Sequence, residues 1–238
     1  TPLTVRGDDA WRREGQPNPV FSATFSGWQA GDTSASAGLS VSLTCPAVVS
    51  STPGVYAITP SGPAQLADYD VNYAPGVLTV AAREQPVLTW PSAAAIAYGT
   101  ALSATQLDVE ADVPGVFLYD PPAGTVLPAG NHVLTVLFTP ADTTNVAKVE
   151  AETVLTVEPV PLMVTGPRMT RFYGEENPDL LPTYTGFVMG DDAAGLASRP
   201  ILSCDADSLS PVGVYAIAVT GGTSTDYVIT GMPGELTI

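Results

Sequence analysis

The chain has 238 residues, of which 24 are Asp or Glu and only 8 are Lys or Arg, so its formal net charge is −16. This negative charge repels phosphate backbones and anionic lipid, which argues against nucleic-acid binding and against attachment to a membrane surface. The 22 Gly and 23 Pro residues, with no sustained apolar period of 3.6 residues, predict a mainly β protein with many turns and without long helices.

In the first third of the chain, short runs of alternating apolar and polar residues predict β-strands, because such alternation suits a half-buried pleated surface. The Ala- and Ser-rich stretch Ser34–Leu39 has a counterpart in Asp191–Ala197, which predicts one short helix with Asp191 or Asp192 as its N-cap. With the closing hairpin counted as one element, the predicted order is therefore β, β, short α, β, β, β. The strands are Leu3–Val5, Val20–Trp28, Leu43–Val48, the stretch around Tyr56, and a closing hairpin of Asp68–Tyr73 and Val77–Val80 that turns at Pro75-Gly76.

The middle of the chain, Pro86–Val157, has a different pattern. Turn signals recur about every 10 residues, a spacing typical of a small β-sandwich. We therefore expect a central sandwich in this part of the chain. The turn signals are Pro121–Gly124, Pro128–Asn131 and Pro140–Asp142, and the strand candidates include Gly115–Tyr119, His132–Thr139 and Thr153–Val157.

The last third repeats the first. The stretch Gly54–Ile58 returns as Gly213–Ile217, 159 positions later, and several flanking residues match at the same offset. Because internal self-similarity fixes boundaries better than composition does, we predict a first module at 1–82, a middle module at 83–159 and a third module at 160–238. The proline-containing linkers between them, Arg83–Pro86 and Glu158–Pro161, predict a semi-rigid row of small modules.

The two cysteines, Cys45 and Cys204, occupy matching places in the outer modules. A disulfide within one module is therefore impossible, and the equivalence argues against a bridge between modules. We interpret both as small, buried apolar residues. Neither has a CxxC partner or a neighbouring histidine, so a nucleophilic role is not expected.

Acidic residues at short spacing are the candidates for a calcium site, because carboxylates at alternate positions can face the same way. None of them fits a calcium loop with its glycine and bidentate glutamate, so caps and solvated faces are the preferred interpretation. His132 is the only histidine, which excludes a histidine zinc cluster or a Ser-His-Asp triad within this chain, and its place at a turn predicts exposure. The acids considered are Asp191 with Asp192, Asp205 with Asp207, and Asp108, Glu110 and Asp112.

Aromatic residues are the other candidates for a binding surface, as platforms on which sugars stack. Aromatics at strand positions are more often part of a core. Trp28 matches Phe187 in the repeat, which favours a core role, whereas Trp11 matches Thr170 and is the best single candidate for exposure. The other aromatics considered are Trp90, Tyr69 and Tyr227.

The third module carries a set of ordered motifs: Tyr173–Pro178, Tyr184–Val188, Ser210–Ile217, Asp226-Tyr227 and Gly234–Ile238. These motifs resemble the MBG domain of the YGX type, a repeat of large bacterial surface and secreted proteins, many of them adhesins. The first module resembles the same family, but Glu14-Gly15 stands where Tyr-Gly is usual, so we expect Trp11 to fill the place of the tyrosine.

The middle module carries its own motifs: Tyr98–Leu102, Gly115–Phe117, Pro128–Gly130 and Phe138–Asp142. With these motifs it is similar to bacterial Ig-like repeats.

The resemblance and the strand order together predict a mainly β chain of tandem small modules, with two β-grasp-like (ββαβββ) outer modules and a central Ig-like β-sandwich. The resemblance implies extracellular or cell-surface localisation and supplies no catalytic or ligand-binding residues. We expect a non-catalytic structural or stalk segment of a large bacterial extracellular, adhesin-like surface protein. The alternative is a glycan- or mucin-binding adhesin module.

No enzyme activity, metal or cofactor is expected, and the ligand-binding residues are left unassigned. The expected partner is a host or matrix glycan or protein. Since no apolar run reaches membrane-spanning length, no membrane insertion is expected in this segment. We expect a monomer, and an internal part of a longer protein, because the sequence opens on a strand without a signal peptide and begins and ends at module edges.

Overall fold

The computed structural model describes residues 1–29, 31–66 and 68–238. Within these ranges the chain forms β-strands and turns, and no helix, so the mainly β class is confirmed. The described residues accordingly contain no helix long and apolar enough to cross a membrane. The chain divides into two compact units. The first unit comprises Thr1–Val87, Ala111–Val116 and Phe138–Val149, and the second comprises Leu88–Glu110, Phe117–Leu137 and Glu150–Ile238.

The first module, in the first unit, contains two four-stranded sheets, with strand orders β3-β1-β7-β6 and β2-β8-β5-β4. Alternation along β1 and β8 places Leu3 and Val5 in one apolar cluster and Leu78 and Val80 in another, each shielded from water. The strands are β1 (Pro2–Gly7), β2 (Ala10–Arg13), β3 (Ala23–Ser26), β4 (Ser42–Thr44), β5 (Gly54–Ser61), β6 (Gln65–Leu66), β7 (Tyr69–Ala74) and β8 (Gly76–Ala81).

The predicted closing hairpin at Pro75-Gly76 is wrong. Strands β7 and β8 do not pair with each other; β7 pairs with β1 in one sheet, and β8 pairs with β2 and β5 in the other. The chain crosses between the sheets at Gly76, next to the place where β1 leads into β2. The two backbones are so close there that a Cβ on Gly76 would overlap the carbonyl oxygen of Gly7. Glycine is required for this approach because it has no side chain.

The predicted short helix is also wrong, so the ββαβββ order is not found. In the third module the segment makes only a turn, in which the Gly195 amide donates to the Asp192 carbonyl at 3.1 Å. In the first module the backbone N–H of Ala37 donates to the Thr33 carbonyl at 3.0 Å, a hydrogen bond with the spacing of an α-helix. Gly38, at a φ of 68°, ends the turn there. Segments this short, interrupted by glycine, do not meet the cost of nucleating a helix.

The third module, in the second unit, repeats this architecture with sheets ordered β17-β15-β20 and β16-β21-β19-β18. Its two apolar clusters are built around Leu162 and Val164 and around Ile217 and Leu236. The strands are β15 (Val160–Thr165), β16 (Arg168–Thr170), β17 (Thr183–Thr185), β18 (Ser198–Cys204), β19 (Val214–Thr223), β20 (Tyr227–Met232) and β21 (Gly234–Thr237).

The middle of the chain contributes residues to both units. It forms a four-stranded sheet ordered β10-β14-β13-β12 and a two-stranded sheet of β11 and β9. In the second unit its apolar cluster is centred on Leu134 and Leu155, with Trp90 and Tyr98 packed against it. The strands are β9 (Leu88–Thr89), β10 (Ile96–Ala97), β11 (Glu110–Ala111), β12 (Gly115–Asp120), β13 (Gly130–Pro140) and β14 (Val149–Glu158).

In each outer module the strands that open the module pair in parallel with the strands that close it. In the first module β1 pairs with β7 over five residues and β2 with β8 over four. In the third module β15 pairs with β20 over six residues and β16 with β21 over three. We call the two strands that open a module its opening ribbon (β1 and β2, or β15 and β16) and the two that close it its closing ribbon (β7 and β8, or β20 and β21). The two ribbons of a module therefore lie side by side and run in the same direction.

Candidate functional site

The acidic residues considered as calcium ligands act mostly as turn acceptors. Asp192 and Asp207 each accept a hydrogen bond from the backbone amide two residues later, at 2.7 and 3.0 Å, and Asp112 accepts one from Val87 at 2.9 Å. Among the described residues, no group of three or more His, Cys, Asp or Glu side chains is placed to hold a metal ion. Asp191 is half-buried and accepts from tyrosine hydroxyls, and the remaining acids are exposed: Asp108, Glu110 and Asp205.

The histidine and the cysteines lie apart from one another in the sequence and in different surroundings. His132 is half-buried, which differs from the predicted exposure, and its Nε2 lies 2.7 Å from the carbonyl oxygen of Pro128. Cys45 and Cys204 are free thiols, half-buried against the apolar clusters of Ile58 and Ile217. They serve as packing residues.

Among the tryptophans, Trp11 is the exposed one. Its side chain is 57% exposed, whereas Trp28 and Trp90 are half-buried and pack against the apolar clusters. Trp11 was expected to fill the place of the tyrosine that Glu14 replaces. This expectation is wrong, because Tyr173, which holds that place in the third module, is itself 61% exposed and leaves no core position to fill.

Trp11 lies at the rim of a cleft in the first unit with a volume of about 400 Å³. The strand β2 and the loop after it form one side, and two residues that follow β13 form the other. An exposed indole beside proline rings and amide side chains is suited to a small, uncharged ligand that has both an apolar face and hydroxyl groups. The lining residues are Trp11, Arg12, Arg13, Gln16, Pro17, Asn18, Pro19, Thr144 and Asn145.

A buried arginine fixes the floor of the cleft. Arg12 is 4% exposed; its Nε donates to Asn18 Oδ1 at 2.8 Å and its Nη2 to the Val48 carbonyl at 2.6 Å. Asn18 in turn donates to the Ala47 carbonyl at 2.7 Å. The charge-assisted bonds of Arg12, together with the bond from Asn18, tie the loop after β2 to a distant turn and hold the walls of the cleft in place.

Arg13 sets the electrostatics at the rim. Its guanidinium lies 5.6 Å from the centroid of the Trp11 ring, within the range of a cation–π interaction, and 3.0 Å from Glu84 Oε1. Within the described part of the chain its Nε is buried without a hydrogen-bond partner. The ion pair with Glu84 neutralises the rim, so the cleft has no strong preference for a charged ligand.

The third module keeps the arginine network and lacks the indole. Arg171 donates to Asn177 Oδ1 at 2.8 Å and to the Asp207 carbonyl, as Arg12 does in the first module. Trp11 is replaced by Thr170 and Arg13 by Phe172, which is 80% exposed. The departure from the repeat pointed to Trp11. The rest of the lining was missed, because no sequence signal brings Thr144 and Asn145 to it.

A second feature is common to both outer modules: a tyrosine hydroxyl donates to an aspartate. Tyr69 donates to Asp32 at 2.5 Å, and Tyr227 donates to Asp191 at 2.6 Å. Burial, followed by the hydrogen bond to Asp191, raises the pKa of Tyr227 to about 12. The pKa of Tyr69 is raised for the same two reasons. Both pairs hold the loop that follows β3 or β17 against the core.

The raised pKa of Tyr227 predicts a loss of stability at alkaline pH. The unfolded tyrosine releases its proton near pH 10, whereas the folded one keeps it to about pH 12, so the stabilisation is complete below pH 10 and is lost as the pH rises to about 12. Urea unfolding followed across this range should show a steeper decline for the native chain than for Tyr227→Phe. Equal declines would contradict the assignment.

A family model described as the MBG domain (YGX type) matches residues 3–79 and 162–237, which together make up well over half of the chain. The resemblance inferred from the repeated motifs is therefore confirmed for both outer modules. No curated protein matches the chain.

Proposed function

Because the chain belongs to the MBG domain (YGX type) family, we propose that it is a non-catalytic structural segment of a large bacterial extracellular surface protein. Family membership suggests the coarser part of this proposal, a module of a bacterial surface protein. The finer part is that each outer module transmits tension along the polypeptide and spaces another part of the protein from the surface. The observation that carries it is the parallel pairing of the opening and closing strands.

Tension on a module acts where the chain enters it and where the chain leaves it. The third module is entered at the start of β15 and left at the end of β21, and these ends belong to ribbons that run the same way side by side. Pulling the ends apart slides one ribbon along the other, so the hydrogen bonds of all paired residues resist together. If paired residues separate one after another, each bond resists alone, and the force needed is much lower. The force at which a module unfolds depends on its kinetic barrier to unfolding, and that barrier is expected to be higher in the sliding direction.

Single-molecule pulling in two directions tests the proposal. Handles at residues 159 and 238 load the third module in the sliding direction, and we expect a several-fold higher unfolding force there than with handles at Ser198 and Thr223. These two residues lie directly opposite each other in the antiparallel pair of β18 and β19, so that geometry separates paired residues in turn. Cys45 and Cys204 are replaced by alanine in both chains.

The control lies within the design, because both chains unfold the same module and differ only in where the handles are attached. Equal forces in the two directions, or a lower force in the sliding direction, would contradict the force-transmitting role.

A second candidate function, glycan binding, is favoured by the cleft at Trp11. An exposed indole offers a flat apolar face to the C–H face of a sugar ring, and Gln16, Thr144 and Asn145 surround it with hydrogen-bonding groups. The rim is neutralised and the chain is strongly acidic, which favours a neutral hexose over an acidic sugar. The partner would be a host or matrix glycan.

Titration with neutral hexoses and their disaccharides, followed by NMR of the Trp11 indole, tests this second function. We expect saturable shifts at millimolar ligand, which corresponds to about −4 kcal/mol. The shifts should be lost in Trp11→Ala and kept in Phe172→Ala, which removes an exposed aromatic from the matching region of the third module. Shifts that are linear in ligand concentration, or that persist in Trp11→Ala, would reject the site.

A further inference from the structure

In the second unit, one tyrosine of the middle module is shared with the third module. The hydroxyl of Tyr98 donates to Asp191 Oδ2 at 3.0 Å, the same oxygen that accepts from Tyr227. The rings of Tyr98 and Tyr227 meet edge to face, with centroids 5.6 Å apart. Tyr98 also packs against the apolar cluster of each module. Tyr98 therefore inserts from the middle module into a site on the third module. We call this receiving site, formed around Asp191 and Tyr227, the socket.

Two further contacts complete this joint. The backbone N–H of Ala129 donates to Asp226 Oδ1 at 2.7 Å. Gly99 lies so close to Val188 that a Cβ on the glycine would be 3.0 Å from a Val188 methyl carbon. The middle module thus supplies a tyrosine, a glycine and a backbone donor, and the third module supplies two carboxylates.

The first module carries the same socket. Tyr69 donates to Asp32, and the backbone N–H of Gln29 donates to the Tyr69 hydroxyl at 2.9 Å, as the backbone N–H of Val188 does to the Tyr227 hydroxyl at 3.1 Å. Trp28 meets Tyr69 edge to face at 5.1 Å between centroids, which corresponds to 5.3 Å for the Phe187–Tyr227 pair. The receiving half of the joint is therefore built twice.

The tyrosine is buried in both sockets, with Tyr69 4% and Tyr227 6% exposed, and the two sockets differ in how far their carboxylates are covered. In the third module Asp191 and Asp226 are half-buried, whereas their counterparts in the first module, Asp32 and Asp68, are exposed. We call the surface formed by the half-buried Trp28 and the exposed Asp32 and Asp68, which surround the buried Tyr69, the docking face. Its aromatic floor and acceptor oxygens are complementary to a module that presents hydroxyl and amide donors without acidic groups at the contact.

We propose that the docking face is the binding surface for a further module of the middle type, joined directly ahead of the first module. The module that binds there must present a tyrosine followed by a glycine, as at Tyr98-Gly99. It must also present a backbone N–H, placed as in Ala129, that can donate to the carboxylate of Asp68. The entry strands agree, because β1 pairs in parallel with β7, next to Asp68, as β15 pairs with β20, next to Asp226. The inference stands on the repeat geometry alone and does not depend on the proposed function.

The test is a longer chain in which a second copy of residues 83–159 directly precedes Thr1 of the complete protein. Hydrogen–deuterium exchange is measured on peptides containing Gln29 and Tyr69, which occur once in this chain. We expect exchange there to slow about tenfold relative to the native chain, because the covered face must open before it exchanges. Tyr98→Phe in the added copy should reverse part of the protection, and Tyr98→Ala all of it.

The native joint supplies the reference. Tyr98→Ala in the original copy should speed the hydrogen–deuterium exchange of backbone amides around Val188 by about the factor by which the added copy slows exchange around Gln29. Unchanged exchange around Gln29 in the longer chain, while the original joint responds, would overturn the proposal, as would protection that survives Tyr98→Ala in the added copy. If residues 83–159 do not fold ahead of Thr1, the extension is lengthened to residues 1–159, with the two copies distinguished by segmental isotope labelling and the same results expected.

Discussion

Replacing Arg12 with alanine is expected to lower the unfolding free energy of the first unit by about 3 to 5 kcal/mol. The guanidinium is buried and donates to Asn18, to the Val48 carbonyl and, at 3.0 Å, to the carbonyl of Arg13. Hydrogen bonds from a charged donor contribute about 1.5 to 3 kcal/mol each, and their buried acceptors would lose their partners together. Urea unfolding monitored by circular dichroism measures the loss.

Arg6→Ala is the matched control for this change. Arg6 is an exposed arginine of the same module, paired with Asp9 at 3.1 Å, and an exposed pair of this kind contributes at most about 1 kcal/mol. A loss for Arg12→Ala no larger than that for Arg6→Ala would show that the buried network does not stabilise the fold. Arg171→Ala should reproduce the large effect in the second unit, because its side chain makes the same contacts.

The second large effect is expected at the crossing between the two sheets. A methyl group at Gly76 would overlap the carbonyl oxygen of Gly7, and backbone cannot move aside as a flexible side chain does. The ribbons would have to separate, which weakens the parallel pairing on both sides of the crossing. We expect Gly76→Ala to cost about 3 kcal/mol or more, at the upper end of overpacking effects. Thermal and urea unfolding both report this change.

Gly54→Ala separates the steric effect from the general effect of losing a glycine. Gly54 begins β5 in the same module, and a Cβ there would meet nothing closer than 3.8 Å. Alanine has less backbone conformational freedom than glycine in the unfolded chain, so this variant should be as stable as the native chain or slightly more stable. Equal losses at Gly76 and Gly54 would contradict the close-approach argument.

The alternating apolar pattern predicted β1, β5, β7 and β8, because burial on one face is a local property of sequence, but it did not predict β2. Tyr56 and Ile58 lie on β5, and Leu78 lies on β8, as the pattern requires. The hairpin at Pro75-Gly76 was wrong for a physical reason. A turn signal shows that the chain bends, but not whether the flanking strands pair, and pairing here is decided by β1 and β2, about 70 residues away.

The arginine network shows a different limit of the sequence. Arg12 and Arg171 match in the repeat, but an arginine on a short strand is ordinarily a solvated residue, so its burial depends on carbonyl acceptors from remote turns. The cleft shows the same limit. Trp11 was identified because the repeat lacks its counterpart, whereas Thr144 and Asn145 reach the cleft only through tertiary packing.

The parallel pairing of opening and closing strands also bears on how such a protein changes length. Each closing strand runs parallel to the opening strand beside it, so the two closing strands of a repeat follow the direction of its two opening strands. Unequal recombination that adds or deletes one repeat in the gene therefore leaves the downstream polypeptide pointing the same way. Variants of different length can arise in this way in single genetic steps and keep the strand pairing inside each repeat, while contacts such as that of Tyr98 with Asp191 have to be supplied again at each new joint.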